Sequence, residues 1–197
     1  ATIRRQRQMC IRDRNNFGGL DILISNAGAA HAGPMLDISN EELRNAFELN
    51  FFSHYSFSTE AAKILKDQNR GGQILFNISK QAVNPGKNFG AYGLPKATTF
   101  FLMRQLALEL GSDGIRVNGI NADRIRSGLL TDDFISSRAK SRGVSESEYM
   151  AGNLLNKEVT AEHVADAFTA LACAESTTGH VMTCLLYTSP SPRDIGE

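Results

Sequence analysis

The chain has no tryptophan, and its three cysteines are scattered through 197 residues. Cys10, Cys173 and Cys184 form no C-x-x-C pair, so neither a disulfide framework nor a zinc site is built from them, and a reducing compartment is expected. The four histidines show no metal-ligand spacing; His31 and His54 are expected in surface or packing roles, and no metal site is expected. Net charge is absent too, with 21 basic and 21 acidic residues. The longest apolar runs, near Ile22 and Phe100, are far too short to span a bilayer, and the start shows no signal-peptide pattern. These absences point to a cytoplasmic globular domain without membrane partners.

The length suits one well-buried domain, and the middle of the chain alternates short apolar runs with longer helical patterns, which reads as a parallel α/β sheet. Leu20–Gly28 reads as a buried strand entering an Asn-Ala-Gly turn. Ser39 with Glu42 reads as a capping box opening a helix, interrupted near Asn50. Gly72–Ser79 and Gly114–Asn121 read as two further strands. Between them lies a turn-rich loop from Gln81 to Gly90, then a helix from about Ala91 to Leu110. Pro95, lacking a backbone donor, requires that helix to begin within about one turn of it. Arg124–Lys157 has mixed charge and no sheet character, which suggests a lid. Thr160 caps an amphipathic helix with Val164, Ala167, Phe168 and Leu171 on one face. The last strand is expected to begin at Gly179-His180-Val181-Met182-Thr183.

Chemistry concentrates in Ser79, Tyr92 and Lys96. Tyr92 and Lys96 are four residues apart and share one helix face. A phenol with a pKa near 10 is a poor base at neutral pH, and a nearby ammonium favours its ionised form. Tyr92 is therefore a candidate general acid/base, with Ser79 at a strand end placed to hold the same substrate oxygen.

The spacing S-x12-Y-x3-K, with Ser25-Asn26-Ala27-Gly28 after the earlier strand and Asn50 in Leu49-Asn50-Phe51-Phe52, resembles the short-chain dehydrogenases/reductases. The resemblance implies the C-terminal part of a Rossmann-like doubly wound parallel sheet, with the first strands missing. It implies Tyr92 as catalytic acid/base, Ser79 as the polarising hydroxyl, and Lys96 binding the nicotinamide ribose and lowering the Tyr92 pKa. Asn50 would hold a water in the proton relay. Asn26, Ala27 and Gly28 would lie against NAD or NADP, NAD being favoured, with Ser127 at the cofactor amide.

FNISKQAVNPGKNFGAYGLPKA, NADRIRSGLLTDD and RAKSRGVSESEYMAGNLL are together similar to the dehydrogenase domain of bifunctional aldolase/short-chain dehydrogenases. That narrower likeness implies lactaldehyde or a related deoxysugar catabolite as substrate, a homo-oligomeric parent, and an upstream aldolase domain. The family's usual Pro-Gly after the third strand is replaced by Ala122-Asp123, followed by Arg124 and Arg126. Either arginine could bind a substrate carboxylate or phosphate; a structural network with Asp123 is the alternative.

The family's glycine-rich turn, T-G-x-x-x-G-x-G, has no counterpart before Asp21. The run Arg4–Arg14 carries five arginines and reads as a nucleic-acid arm, a targeting helix or foreign sequence. It is similar to a translated transposon-type adapter from DNA library preparation, and Cys184–Asp194 resembles the partner adapter. Residues 1–14 and 184–197 are therefore expected to be spurious, and 15–183 a partial dehydrogenase domain. Without the two runs the remainder is mildly acidic, which argues against nucleic-acid binding. A fragment that neither binds cofactor nor folds stably, with apolar strand surface uncovered, is the alternative to an active oxidoreductase. A noncatalytic interaction module built on the helices around Asn45–Leu65 and Ala97–Leu110 is a third.

Overall fold

The computed structural model describes residues 8, 9, 11, 12, 15–30 and 32–184. Cys10, His31 and most of the two adapter-like runs lie outside the described residues.

Four strands form one parallel sheet in the order β1 (Ile22–Ser25), β2 (Gly72–Asn77), β3 (Ile115–Ala122) and β4 (Val181–Cys184). Ile74 pairs with Leu23 on one side and Val117 on the other, and Ile120 with Met182. Parallel neighbours need crossover connections, and the helices between the strands supply them. The 2-residue side-chain period then sends β2 residues to opposite faces. Ile74 and Phe76 join Leu65, Met103, Leu106 and Val117 in one core, while Leu75 joins Ile120, Val164, Phe168 and Leu171 in the other. Burial on both faces explains the unbroken apolar run Ile74-Leu75-Phe76 in β2, whereas β3 buries Asn118 and Asn121 among its apolar residues.

The first core is covered by α2 (Ser53–Gln68) and α3 (Gly90–Leu110), the second by α6 (Ala161–Cys173). Leu23 packs on the first core, but Ile22 and Ile24 on the opposite face of outer strand β1 are 43% and 52% exposed.

The start of α1 (Asn40–Phe47) is fixed by the expected capping box: the Glu42 N–H donates to Ser39 Oγ at 3.2 Å, and the Ser39 N–H donates to Glu42 Oε2 at 2.8 Å. The expected interruption at Asn50 is a π-helical turn, Glu48–Phe52, joining α1 to α2. Thr160 caps α6 with His163 in the reciprocal place of the box, so an imidazole does there what a carboxylate does at Glu42.

Two expectations need correction and one is filled out. Helix α3 begins at Gly90, five residues before Pro95, so the proline sits past the first turn, where its ring nitrogen cannot donate to Ala91 O. The Arg124–Lys157 segment has no strand, as expected, but contains α4 (Asp132–Ser141) and α5 (Glu146–Met150). They fold over a small core of Leu130, Ile135, Ala139, Tyr149 and Met150. Strand β4 does not stop at Thr183: Cys184 pairs with Ala122 and is buried, because the adjacent strand offers one more ladder position.

Candidate active site

The C-terminal ends of β1, β2 and β3 bring Asn26, Asn77 and Asp123 to one edge of the sheet, the edge at which open α/β sheets bind ligands. Ser79 follows β2 and caps a short 3-10 turn, Lys80–Ala82, its Oγ accepting from the Gln81 N–H at 3.3 Å. Tyr92 and Lys96 come from the start of α3. The backbone of α3 approaches this turn so closely that a Cβ at Gly93 would lie 3.0 Å from the Gln81 carbonyl oxygen. Glycine at the position after Tyr92 thus lets the phenol reach Ser79, to which it is hydrogen-bonded.

Burial raises the Tyr92 pKa above its ordinary value, and the Ser79 hydrogen bond opposes this more weakly. Lys96 is almost fully buried, and burial lowers its pKa to about 8. Its Nζ lies 5.8 Å from the Tyr92 ring centroid and donates to the Asn77 carbonyl at 3.1 Å. The expectation that Lys96 lowers the Tyr92 pKa is therefore corrected: desolvation of the phenol dominates, and the ammonium is turned toward the end of β2.

Asn50 is buried behind the Asn26–Gly28 turn. Its Nδ2 donates to Ala29 O at 2.9 Å and Ala46 O at 3.1 Å, and its Oδ1 accepts from the Ala29 N–H at 3.2 Å. Its own carbonyl accepts from Thr99 Oγ1 at 2.7 Å. The π-turn makes this possible by rotating one side chain out of the regular helical sequence of faces. A Cβ at Gly28 would come within 2.9 Å of Asn50 Oδ1 and 3.5 Å of Lys96 Nζ. Gly28 is needed by the protein's own packing, beyond any close approach of a ligand.

Two neighbouring cavities share Asn77, Tyr92, Ile125, Ser127 and Leu129 as a common wall. The larger, about 800 Å³, is lined by Ile24, Asn26, Gly28, Lys96 and Phe168. The smaller, about 210 Å³, is lined by Ser79, Phe89, Arg124, Arg138, Arg142 and Tyr149. Of the expected site residues, Ser79, Tyr92, Lys96, Asn26, Gly28, Ser127 and Arg124 reach these cavities; exposed Ala27 and buried Asn50 line neither. Arg126 does not reach them either. It is exposed and held by Asp132 at 2.6 Å and Glu158 at 2.9 Å, a structural network with partners other than the expected Asp123. Arg124 lies 3.6 Å from Asp123 and donates to the Tyr149 and Gly152 carbonyls.

Residues not anticipated from sequence include Asn77, whose Nδ2 donates to Asn26 Oδ1 at 2.6 Å. Its position two residues before Ser79 at a strand end was the available signal. His54 takes the packing role expected of it: its Nδ1 is 2.6 Å from Ser25 Oγ, and its pKa falls to about 4 through burial and then the charge of Lys96, with the Ala27 backbone opposing. Arg138 and Arg142 were invisible as site residues, because only the folding of α4 carries them over the sheet edge. Among the described residues, no group of three or more histidine, cysteine or acidic side chains could hold a metal ion. Nor is any described helix long and apolar enough to cross a membrane.

Residues 6–184 match the family model described as enoyl-(acyl carrier protein) reductase. The chain is 34% identical over 175 residues to the uncharacterized oxidoreductase YuxG of Bacillus subtilis, covering 85% of this chain and 25% of that protein. It is 39% identical over 106 residues to the 7alpha-hydroxysteroid dehydrogenase of Escherichia coli K12, covering 54% and 41% of the two chains. The chain thus spans a quarter to about two fifths of the length of these relatives. Among solved structures, acetoin dehydrogenase from Enterobacter cloacae superposes with a TM-score of 0.76 at 25% identity, covering 90% of this chain and 67% of that one. A short-chain type dehydrogenase/reductase from Mycobacterium marinum has the same fold, with a TM-score of 0.81 at 24% identity, covering 92% and 69%. With its fold and its sequence in agreement, the chain belongs to the short-chain dehydrogenase/reductase family.

Proposed function

We propose that the protein is a nicotinamide-dependent oxidoreductase acting on a small hydroxy or carbonyl compound, with Tyr92 as proton donor and acceptor. The observation that carries this reading is the position of Tyr92 on the wall between a large and a small cavity, hydrogen-bonded to Ser79 on the lining of the smaller. A nicotinamide nucleotide fits the larger cavity: glycine at position 28 leaves its floor bare, and Lys96 and Asn26 present polar groups to ribose hydroxyls. A solved relative of the same fold, ElxO, has NADP bound, which supports NAD or NADP as cofactor here. When bound, such a nucleotide exchanges a hydride with a substrate carbon. NAD remains favoured from the sequence resemblance.

The chain's own residues do the acid–base work. Ser79 holds the substrate oxygen by a hydrogen bond while Tyr92 gives it a proton in reduction or removes one in oxidation. Because burial raises the Tyr92 pKa, the phenol is protonated at neutral pH, which suits the reductive direction. Lys96 positions the end of β2 and lies beneath the larger cavity. Asn50 holds the turn after β1 in place. Its carbonyl has a second lone pair beside the Thr99 bond, so the relay role would have it hold a water there.

Lactaldehyde or a related deoxysugar catabolite is the substrate this reading carries over from the bifunctional proteins, along with a possible upstream aldolase domain. A homo-oligomer is supported by Phe101 and Leu108, both largely exposed on α3. The test is titration with NADH and NADPH followed by nucleotide fluorescence. Saturable binding, weakened by Lys96→Met, is expected; no binding by the full-length protein would contradict the reading.

A further inference from the structure

The smaller cavity is unusually rich in guanidinium groups. Arg138 lies in α4 and Arg142 directly follows it, four positions on, so both face the same way. They join Arg124, from the loop after β3, on the lining. Each is laid against an aromatic ring: Arg138 is 5.8 Å from the Phe89 centroid, Arg142 5.3 Å and Arg124 4.6 Å from that of Tyr149. Lys80 adds a further basic residue to the lining, against Asp123 as the acidic one.

Arg124 has protein partners in Asp123 and two backbone carbonyls. Arg138 does not have comparable ones. Among the described residues its guanidinium has no carboxylate within ion-pair distance, and its Nε is buried without a hydrogen-bond acceptor. A partly desolvated guanidinium without an acceptor is costly, and a planar anion satisfies it with two parallel hydrogen bonds. Stacking on Phe89 fixes the plane of the fork in advance. The carboxylate at the start of α4, Asp132, is turned instead to the exposed Arg126.

We infer that the substrate carries an anionic group, a carboxylate or a phosphate, bound by Arg138 with Arg142 and Arg124 beside it. Its hydroxyl or carbonyl group then lies at Ser79 and Tyr92. This rests on the reading of Ser79 and Tyr92 as the reacting end. A volume of about 210 Å³ is below the roughly 300–1,000 Å³ of common ligand clefts, which favours a short-chain acid or phosphate ester. Neutral lactaldehyde makes no use of these arginines, so the inference narrows the deoxysugar-derived class to its anionic members.

Two matched pairs of ketones test it with NADH or NADPH as reductant: acetoacetate against methyl acetoacetate, and hydroxyacetone phosphate against hydroxyacetone. At least one anion is expected to exceed its neutral partner in kcat/KM by about tenfold or more, as a charge-assisted pair gives. The pair that shows the preference identifies carboxylate or phosphate. In Arg138→Gln that ratio should collapse toward one through KM, and Arg138→Lys, which keeps the charge but loses the fork, should fall between. Equal or reversed preference in both pairs, or a ratio unchanged in Arg138→Gln, overturns the inference. If no ketone is reduced, the catalytic reading fails, and the anion site is then read by calorimetry with acetoacetate and hydroxyacetone phosphate. Saturable binding lost in Arg138→Gln supports the site; no saturable binding of either probe overturns it.

Discussion

Asn50 and Ala29 are locked together by a reciprocal pair of hydrogen bonds, the amide of one side chain closing on the backbone N–H and C=O of the other residue at 3.2 and 2.9 Å. The π-turn carrying Asn50 thereby fixes the loop after β1 and, through it, the bare floor at Gly28. Asn50→Ala leaves the Ala29 groups to find water and should destabilise the fold by about 1–3 kcal/mol. Urea denaturation measures this, and an unchanged midpoint would show that the clamp contributes nothing.

Gly28→Ala puts a methyl group 2.9 Å from Asn50 Oδ1 and 3.5 Å from Lys96 Nζ. Overpacking of this kind costs about 1–3 kcal/mol, and the displaced Asn50, by disturbing the turn that borders the larger cavity, should also weaken nucleotide binding. A melting temperature and NADH affinity both equal to wild type would refute the close packing described here.

His54 is held neutral, with a pKa lowered to about 4 by burial and by Lys96. The unfolded chain, with an ordinary histidine, binds more protons between about pH 6.5 and 4, so this residue's contribution to stability is present above that window and is lost as pH falls through it. Replacing His54 with leucine should flatten that part of the stability profile. An acid limb of the same slope in the variant would contradict the assignment.

Arg124 ties the loop after β3 to α5 through the Tyr149 and Gly152 carbonyls and stacks on the Tyr149 ring. Arg124→Met should loosen the 130–155 segment while the parallel sheet stays folded. Limited proteolysis is expected to cut the variant there about tenfold faster, corresponding to a local loss near 1.4 kcal/mol. Equal cleavage rates would mean that the small core around Ile135 and Met150 holds the segment alone.

Local signals in the sequence were sufficient for the frame. The Ser39–Glu42 cap, the apolar run of β2, and the helix interruption at Asn50 each depend on residues close along the chain. Tyr92, Lys96 and Ser79 were legible because their spacing sits in one strand–loop–helix unit. Contacts across long separations were not. The Asn77 bond to Asn26 spans 51 positions, and Arg138 reaches the cavity only because α4 folds over Leu130 and Tyr149. The Lys96 effect on Tyr92 failed for a different reason: spacing shows that two side chains share a helix face, but not how deeply each is buried.

The most direct test of the central claim is a single-turnover comparison of the full-length protein with its Tyr92→Phe variant, with nucleotide binding measured in parallel. Loss of the phenolic proton should slow turnover by about 10²–10⁴-fold and leave nucleotide affinity nearly unchanged. Turnover retained in Tyr92→Phe would contradict the account.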